Sequence, residues 1–199
     1  IKIAEEHPDT EVIFLGVGFE TTAPGTAACI LEAASRKLDN FSVLCLLKRT
    51  EPAIRSLIES DDFAVNGFLC PGHVAAVIGA DGFSFLPKDY RLPGVVSGFE
   101  PGDLLYSILE LTEMLAKGTP ELKNEYTRLV RQNGNPAALA LMDKVFCPCA
   151  SDWRGLGQIP GSGYKIREEY AKWDAVKKFS LTPAEAKEIP GCRCAQIIR

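Results

Sequence analysis

Residues 1–118 alternate short, nearly continuous apolar runs with segments whose apolar positions recur at helical spacing. Glu11 to Gly18 (EVIFLGVG) has strand length and no polar alternation, the pattern of a strand buried on both faces. Phe41 to Leu47 repeats that pattern, and Gly67 to Cys70 and Val95 to Ser97 read as two shorter strands. Between and after them, Thr22 to Lys37, Glu51 to Ser60, His73 to Ile78 and Pro101 to Lys117 carry helical spacing. Strand, helix, strand at these intervals predicts right-handed βαβ units. The expected fold is therefore α/β: a Rossmann-like parallel sheet of about four strands flanked by helices.

After Gly118 the pattern changes, which places a domain boundary there and divides the chain into 1–118 and 119–199. Glu121 to Gln132, Pro136 to Val145 and Tyr164 to Phe179 read as helices around an irregular Gly/Pro stretch from Cys147 to Gly163. The second part is thus expected to be mostly helical and Gly/Pro-interrupted. Thr182 and Glu185 stand at capping-box spacing, which predicts one more helix start. Ile1 to His7 resembles the tail of an amphipathic helix, so the chain reads as a piece lacking its N-terminal and extreme C-terminal regions.

Composition narrows the classes. With 46% hydrophobic and 24% charged residues, the chain has enough apolar material for a core. A net charge of −4 argues against broad nucleic-acid binding, and no apolar run approaches the length of a membrane span. Seven cysteines is an odd count for a disulfide framework, which favours a reducing, cytoplasmic setting. Cys29, Cys45 and Cys70 stand singly among apolar residues. Cys147 with Cys149, and Cys192 with Cys194, form two C-x-C pairs.

Candidate chemistry gathers at strand ends. The first strand runs into Gly18-Phe19-Glu20-Thr21-Thr22, the third into Pro71-Gly72-His73, and the fourth into Gly98-Phe99-Glu100. In one open parallel sheet all carboxyl ends lie along the same edge, so Glu20, Thr21, Thr22, His73 and Glu100 are expected to converge there. Glu20 and Glu100 read equally as helix N-terminal carboxylates, and Phe19 and Phe99 as core plugs under their loops. The partial G-x-G at Gly16 and Gly18 admits another class of function: a nucleotide- or phosphate-binding enzyme using the Gly16 to Thr22 loop. A bare protein-docking domain is a third. Trp153-Arg154 opens a stretch rich in Gly and Pro through Gly163, whose unobstructed backbone suits an anion or another backbone. Arg154 is expected to pair with a carboxylate of the sheet edge. Cys192 and Cys194 are the metal candidates, as an incomplete donor set.

Taken in order, G-F-E-T-T-A-P-G-T-A, C-P-G-H-V-A-A-V-I-G, G-F-E-P-G-D-L-L, W-R-G-L-G-Q-I-P-G-S-G and G-C-R-C resemble the HypD family, scaffolds in [NiFe]-hydrogenase maturation. The likeness runs from Ile1 to Arg199. It implies two α/β domains facing a cleft, and iron held between a family cysteine and the partner HypC. It also implies assembly of an Fe(CN)2CO unit with cyanide delivered through HypE, and a C-terminal [4Fe-4S] cluster. The family's iron-holding Cys-Gly-Thr-His motif has no counterpart here, and most cluster cysteines lie beyond the Gly-Cys-x-Cys motif. The piece itself is therefore expected to hold no stable cluster. By resemblance, Glu20, Thr21, Thr22, His73, Glu100, Trp153 and Arg154 line the cleft, orienting the iron site and hydrogen-bonding its cyanide ligands.

Overall fold

The computed structural model describes residues 1–182 and 190–194. It is mixed α/β with parallel sheets flanked by helices, as the apolar runs predict. The four expected strands are divided between two sheets. β1 (Val12–Gly18) pairs in parallel with β2 (Phe41–Leu47), whereas β3 (Phe68–Pro71) pairs in parallel with β4 (Gly94–Ser97), which also holds the short β5 (Leu122–Asn124). The chain accordingly forms two compact units, 1–61 with 140–199 and 62–139. The boundary expected near Gly118 falls inside the second of these.

In the first unit, α2 (Ala23–Arg36) crosses from β1 to β2 and α3 (Thr50–Ile58) follows β2. Pro24 in the first turn of α2 suits the fixed φ of a helix start, and Lys37 ends the helix in the left-handed region at φ 56. The core is built from Ile30 and Ala27 of α2 with Val43 and Leu47 of β2. The preceding segment is tied on by Asn40, whose side-chain amide donates to Ala4 O, His7 O and Thr10 O at 2.8–3.0 Å. It carries the short helix α1 (Lys2–Glu6).

The first unit is completed from far along the chain. α7 (Pro136–Val145) leads into an antiparallel hairpin of β6 (Phe146–Trp153) and β7 (Gly157–Ile166). This hairpin replaces the irregular stretch expected from its Gly and Pro content. The helix expected at Tyr164 to Phe179 is instead the end of β7, a 3-10 turn at Glu168–Trp173 and the four-residue α8 (Ala175–Lys178). Asp174 caps α8 by accepting the Val176 N–H at 2.9 Å. The capping box suggested at Thr182 and Glu185 extends outside the described residues.

In the second unit, α4 (Gly72–Ile78) and α5 (Phe85–Tyr90) separate β3 from β4, and α6 (Pro101–Lys117) follows β4. α6 starts at a proline and stops at Gly118, left-handed at φ 65. The helix expected at Glu121 to Gln132 is β5 and a turn. There the Asn124 side chain accepts the Tyr126 N–H at 3.1 Å and donates to Val130 O at 3.0 Å, offering the backbone an alternative to helix. Among the described residues no helix is long and apolar enough to cross a membrane.

Candidate functional site

At the carboxyl end of β1, Gly18 adopts φ 146, and a Cβ there would collide with the Thr22 side chain. The chain then turns so that Phe19 O accepts the N–H groups of Thr22 (3.0 Å) and Ala23 (3.2 Å). Glu20 is swung inward and is 3% exposed. Its carboxylate accepts the Thr50 N–H at 2.7 Å and the Thr50 hydroxyl at 2.6 Å. The α3 N-cap position, Arg49, supplies no side-chain cap of its own. Glu20 therefore caps α3 from the neighbouring loop, a favourable place for negative charge, and pins the end of β1 to the end of β2. Thr21 is exposed and Thr22 partly so. With the Thr22 and Ala23 amides taken by Phe19 O and a carboxylate in the loop, this turn does not present the amide cradle that a phosphate needs.

The turn after β2 binds the hairpin. Arg49 N–H donates to Ser162 O at 2.8 Å, and its guanidinium donates to Gly161 O at 2.7 Å. Lys48 N–H donates to Gly18 O at 2.8 Å, while its ammonium donates to the Ser151 hydroxyl and, at 2.7 Å, to Asp152 O. That ammonium stands 5.6 Å from the Trp153 ring centre. Burial lowers the Lys48 pKa, opposed by the charge of Asp152. Trp153 donates its indole N–H to the buried Ser162 hydroxyl at 2.8 Å and lies 5.9 Å from the Phe19 ring. The glycines serve this docking: Gly161 sits at φ 68, and Gly163 passes so close to Ser151 that a Cβ would come within 2.8 Å of it. The Gly/Pro-rich motif thus admits another backbone.

Arg154 is exposed and lies beside the Cys194 thiol rather than a sheet-edge carboxylate. Cys192 and Cys194 stand with their sulfurs 3.3 Å apart. The Cys194 pKa is raised, first by its hydrogen bond with Cys192 and then by burial, while Arg154 pulls it down. Among the described residues no group of three or more His, Cys, Asp or Glu side chains gathers to hold a metal. Cys192 and Cys194 present two thiols, and a [4Fe-4S] cluster takes four. Cys45 and Cys70 are held inert by burial, which pushes their thiols up to about 11 and about 12.

His73 and Glu100 belong to the second unit, so the predicted common edge does not form within a single sheet. There the His73 ring lies 4.4 Å from the Phe99 ring, tilted by 33°, and both are exposed. Glu100 lies 3.7 Å from Arg128, whose guanidinium donates to Asp103 Oδ1 at 2.8 Å and covers the Tyr126 ring at 4.5 Å. Gly98 has no room for a Cβ between Asp103 and Tyr126. Phe99, 55% exposed, and Phe19, 40% exposed, are surface rings and not the core plugs expected.

Sequence reading missed Lys48, Arg49 and Thr50. They follow β2 directly, so the strand-end argument covered them, but they lack the Gly and Pro that marked the other loops.

A family model described as HypD, hydrogenase formation hypA family, matches residues 1–199. The chain belongs to the HypD family. It is 40% identical over its whole length to the hydrogenase maturation factor HypD of Cupriavidus necator, of which it covers 54%. It is 38% identical to HypD of Escherichia coli, covering 53% of that protein, and 40% identical to HypD of Rhodobacter capsulatus, covering 54%. The chain spans about half the length of the curated relatives it matches. The Lys48-Arg49-Thr50 turn bonds to two of the motifs that carry the family resemblance, G-F-E-T-T and W-R-G-L-G-Q-I-P-G-S-G.

Proposed function

We propose that this chain serves in a cytoplasmic HypD-type scaffold that supports assembly of the Fe(CN)2CO unit with HypC- and HypE-like partners. The observation that carries this reading is the junction at the end of β1 and β2. There Glu20 caps α3, and Lys48, Arg49, Trp153 and Ser162 lock the hairpin against the same loop. This bonding leaves Thr21 at the surface beside a rigid loop. A hydroxyl so placed suits the nitrogen lone pair of a metal-bound cyanide, which accepts hydrogen bonds. In the other unit, exposed His73 beside Phe99 offers an imidazole N–H as a second donor. The iron unit is cargo, held on a cysteine elsewhere in the family polypeptide. The residues of this chain orient and hydrogen-bond it. Cys192 and Cys194, beside Arg154, are two of the thiols the family's cluster draws on.

The test replaces the matched part of Cupriavidus necator HypD by this chain, in cells lacking their own copy, and measures hydrogenase activity. The reading predicts restored activity, with at least tenfold loss in a Thr21→Val, His73→Ala double variant that accumulates normally. A well-expressed chimera without activity overturns it.

A further inference from the structure

The outer edge of β1 is built like the interior of a sheet. In a parallel pair, the N–H and C=O of one residue point to the same neighbour, and those of the next residue point the other way. Val12 N–H donates to Asn40 O, and Gly18 O accepts the Lys48 N–H, so Val12, Phe14, Gly16 and Gly18 address β2. The N–H and C=O groups of Ile13, Leu15 and Val17 therefore point outward. The far edge of β2 differs, since it carries bridges from Val43 to Asp174 and from Lys48 to Gly163.

The same three residues also leave a face of the sheet open. Their side chains lie on one side of β1 and are 44%, 61% and 63% exposed, with Leu46 beside Val17 at 47%. On the opposite face α2 packs over Gly16, where a Cβ would meet Thr26 at 3.5 Å, while Phe14 at the edge is 42% exposed. An edge with six backbone groups unpaired among the described residues, and an apolar face on the same residues, is a liability in isolation and is ordinarily paired or covered. Short apolar strands of this kind belong to parallel sheets buried on both faces.

The relatives supply an occupant. This chain covers 54% of the Cupriavidus necator protein, so a nearly equal length of family polypeptide has no counterpart in it. We infer that the outer edge of β1 receives a parallel strand from that other part of the family polypeptide. The crossover helix of the added strand lies over Ile13, Leu15 and Val17. A parallel strand needs such a crossover, which is why a βα unit, and not a lone extended peptide, fits both the edge and the face. A second copy related by a two-fold axis would instead meet β1 antiparallel.

Amide hydrogen exchange at residue resolution tests this in the chimera just described and in the present chain alone. In the chain alone, the Phe14 and Gly16 amides should be protected by β2 while those of Ile13, Leu15 and Val17 exchange as an open edge. In the chimera the latter three should slow at least tenfold. Leu15→Pro removes the central outward N–H, a position an edge strand tolerates. In the chimera it should abolish the slowing at Ile13 and Val17 yet leave Phe14 and Gly16 protected. This chimera pair decides the matter by itself. Equal exchange at the Ile13 and Val17 amides with and without Leu15→Pro overturns the inference. So does protection in the chain alone that grows with concentration, which would assign the edge to a second copy.

Discussion

Replacing Glu20 by Gln keeps the size of a side chain that is 3% exposed and removes its charge. The carboxylate meets two donors of Thr50, at 2.7 Å and 2.6 Å. Hydrogen bonds to a charged group contribute about 1.5–3 kcal/mol each. Gln can accept the Thr50 N–H with its oxygen and donate its amide N–H to the Thr50 hydroxyl, so two charge-assisted bonds become neutral ones. The interaction with the start of α3 adds about 0.3–1 kcal/mol to the loss. Against this, a buried amide costs less to desolvate than a buried carboxylate, which returns part of the loss. The net destabilisation expected is about 2 kcal/mol, or roughly 4–8 °C in Tm for a chain of this size. Trp153 and Trp173 both lie in the first unit, so tryptophan fluorescence during urea unfolding reports on the unit that contains Glu20. A cycle with Thr50→Val should give a coupling of at least about 1 kcal/mol. A Glu20→Gln variant within about 0.5 kcal/mol of the parent, with no coupling to Thr50, would refute the capping role.

Other substitutions follow from the same structure. The Ser42 hydroxyl is fully buried without a hydrogen-bond partner among the described residues, so Ser42→Ala should raise stability by about 1 kcal/mol in the same assay. Lys37→Gly should add about 1 kcal/mol, because a left-handed φ of 56 costs a residue with a Cβ about that much. Alkylation at pH 8 followed by peptide mass spectrometry should modify the exposed Cys192 first and Cys70 last, since burial pushes the Cys70 thiol up to about 12. Arg128 holds the Asp103 carboxyl below its ordinary range, so its contribution is present above the unfolded pKa and is lost as pH falls through the depressed one. Asp103→Asn should therefore lower Tm at pH 7, with the difference closing in strong acid.

Legibility in the sequence depended on whether a segment's neighbours in space were also neighbours in the chain. β2, α6 and α7 appear with the bounds their patterns gave, because Pro101, Gly118 and Pro136 mark ends locally. β6 and β7 were hidden. Pro148, Gly157, Gly161 and Gly163 read as loop, yet they hold a hairpin whose partner, the Lys48-Arg49 turn, lies about a hundred residues earlier. The helix expected to start at Tyr164 begins inside β7, where Tyr164 and Ile166 alternate as in a strand. Apolar runs do not say which strands share a sheet, so the single edge expected to collect Glu20, His73 and Glu100 was divided between two units. Glu20 was legible as a helix-terminus carboxylate, but the helix it caps is α3 and not the adjacent α2.

The most direct measurement is infrared spectroscopy of the chimeric HypD, purified with the proposed HypC-like partner from cells that make cyanide and carbon monoxide ligands. Stretching bands of metal-bound cyanide and carbon monoxide are expected, with the cyanide bands shifted in Thr21→Val as a hydrogen bond is lost. A chimera that copurifies with the HypC-like partner at normal yield, yet shows neither cyanide nor carbon monoxide bands, would contradict it.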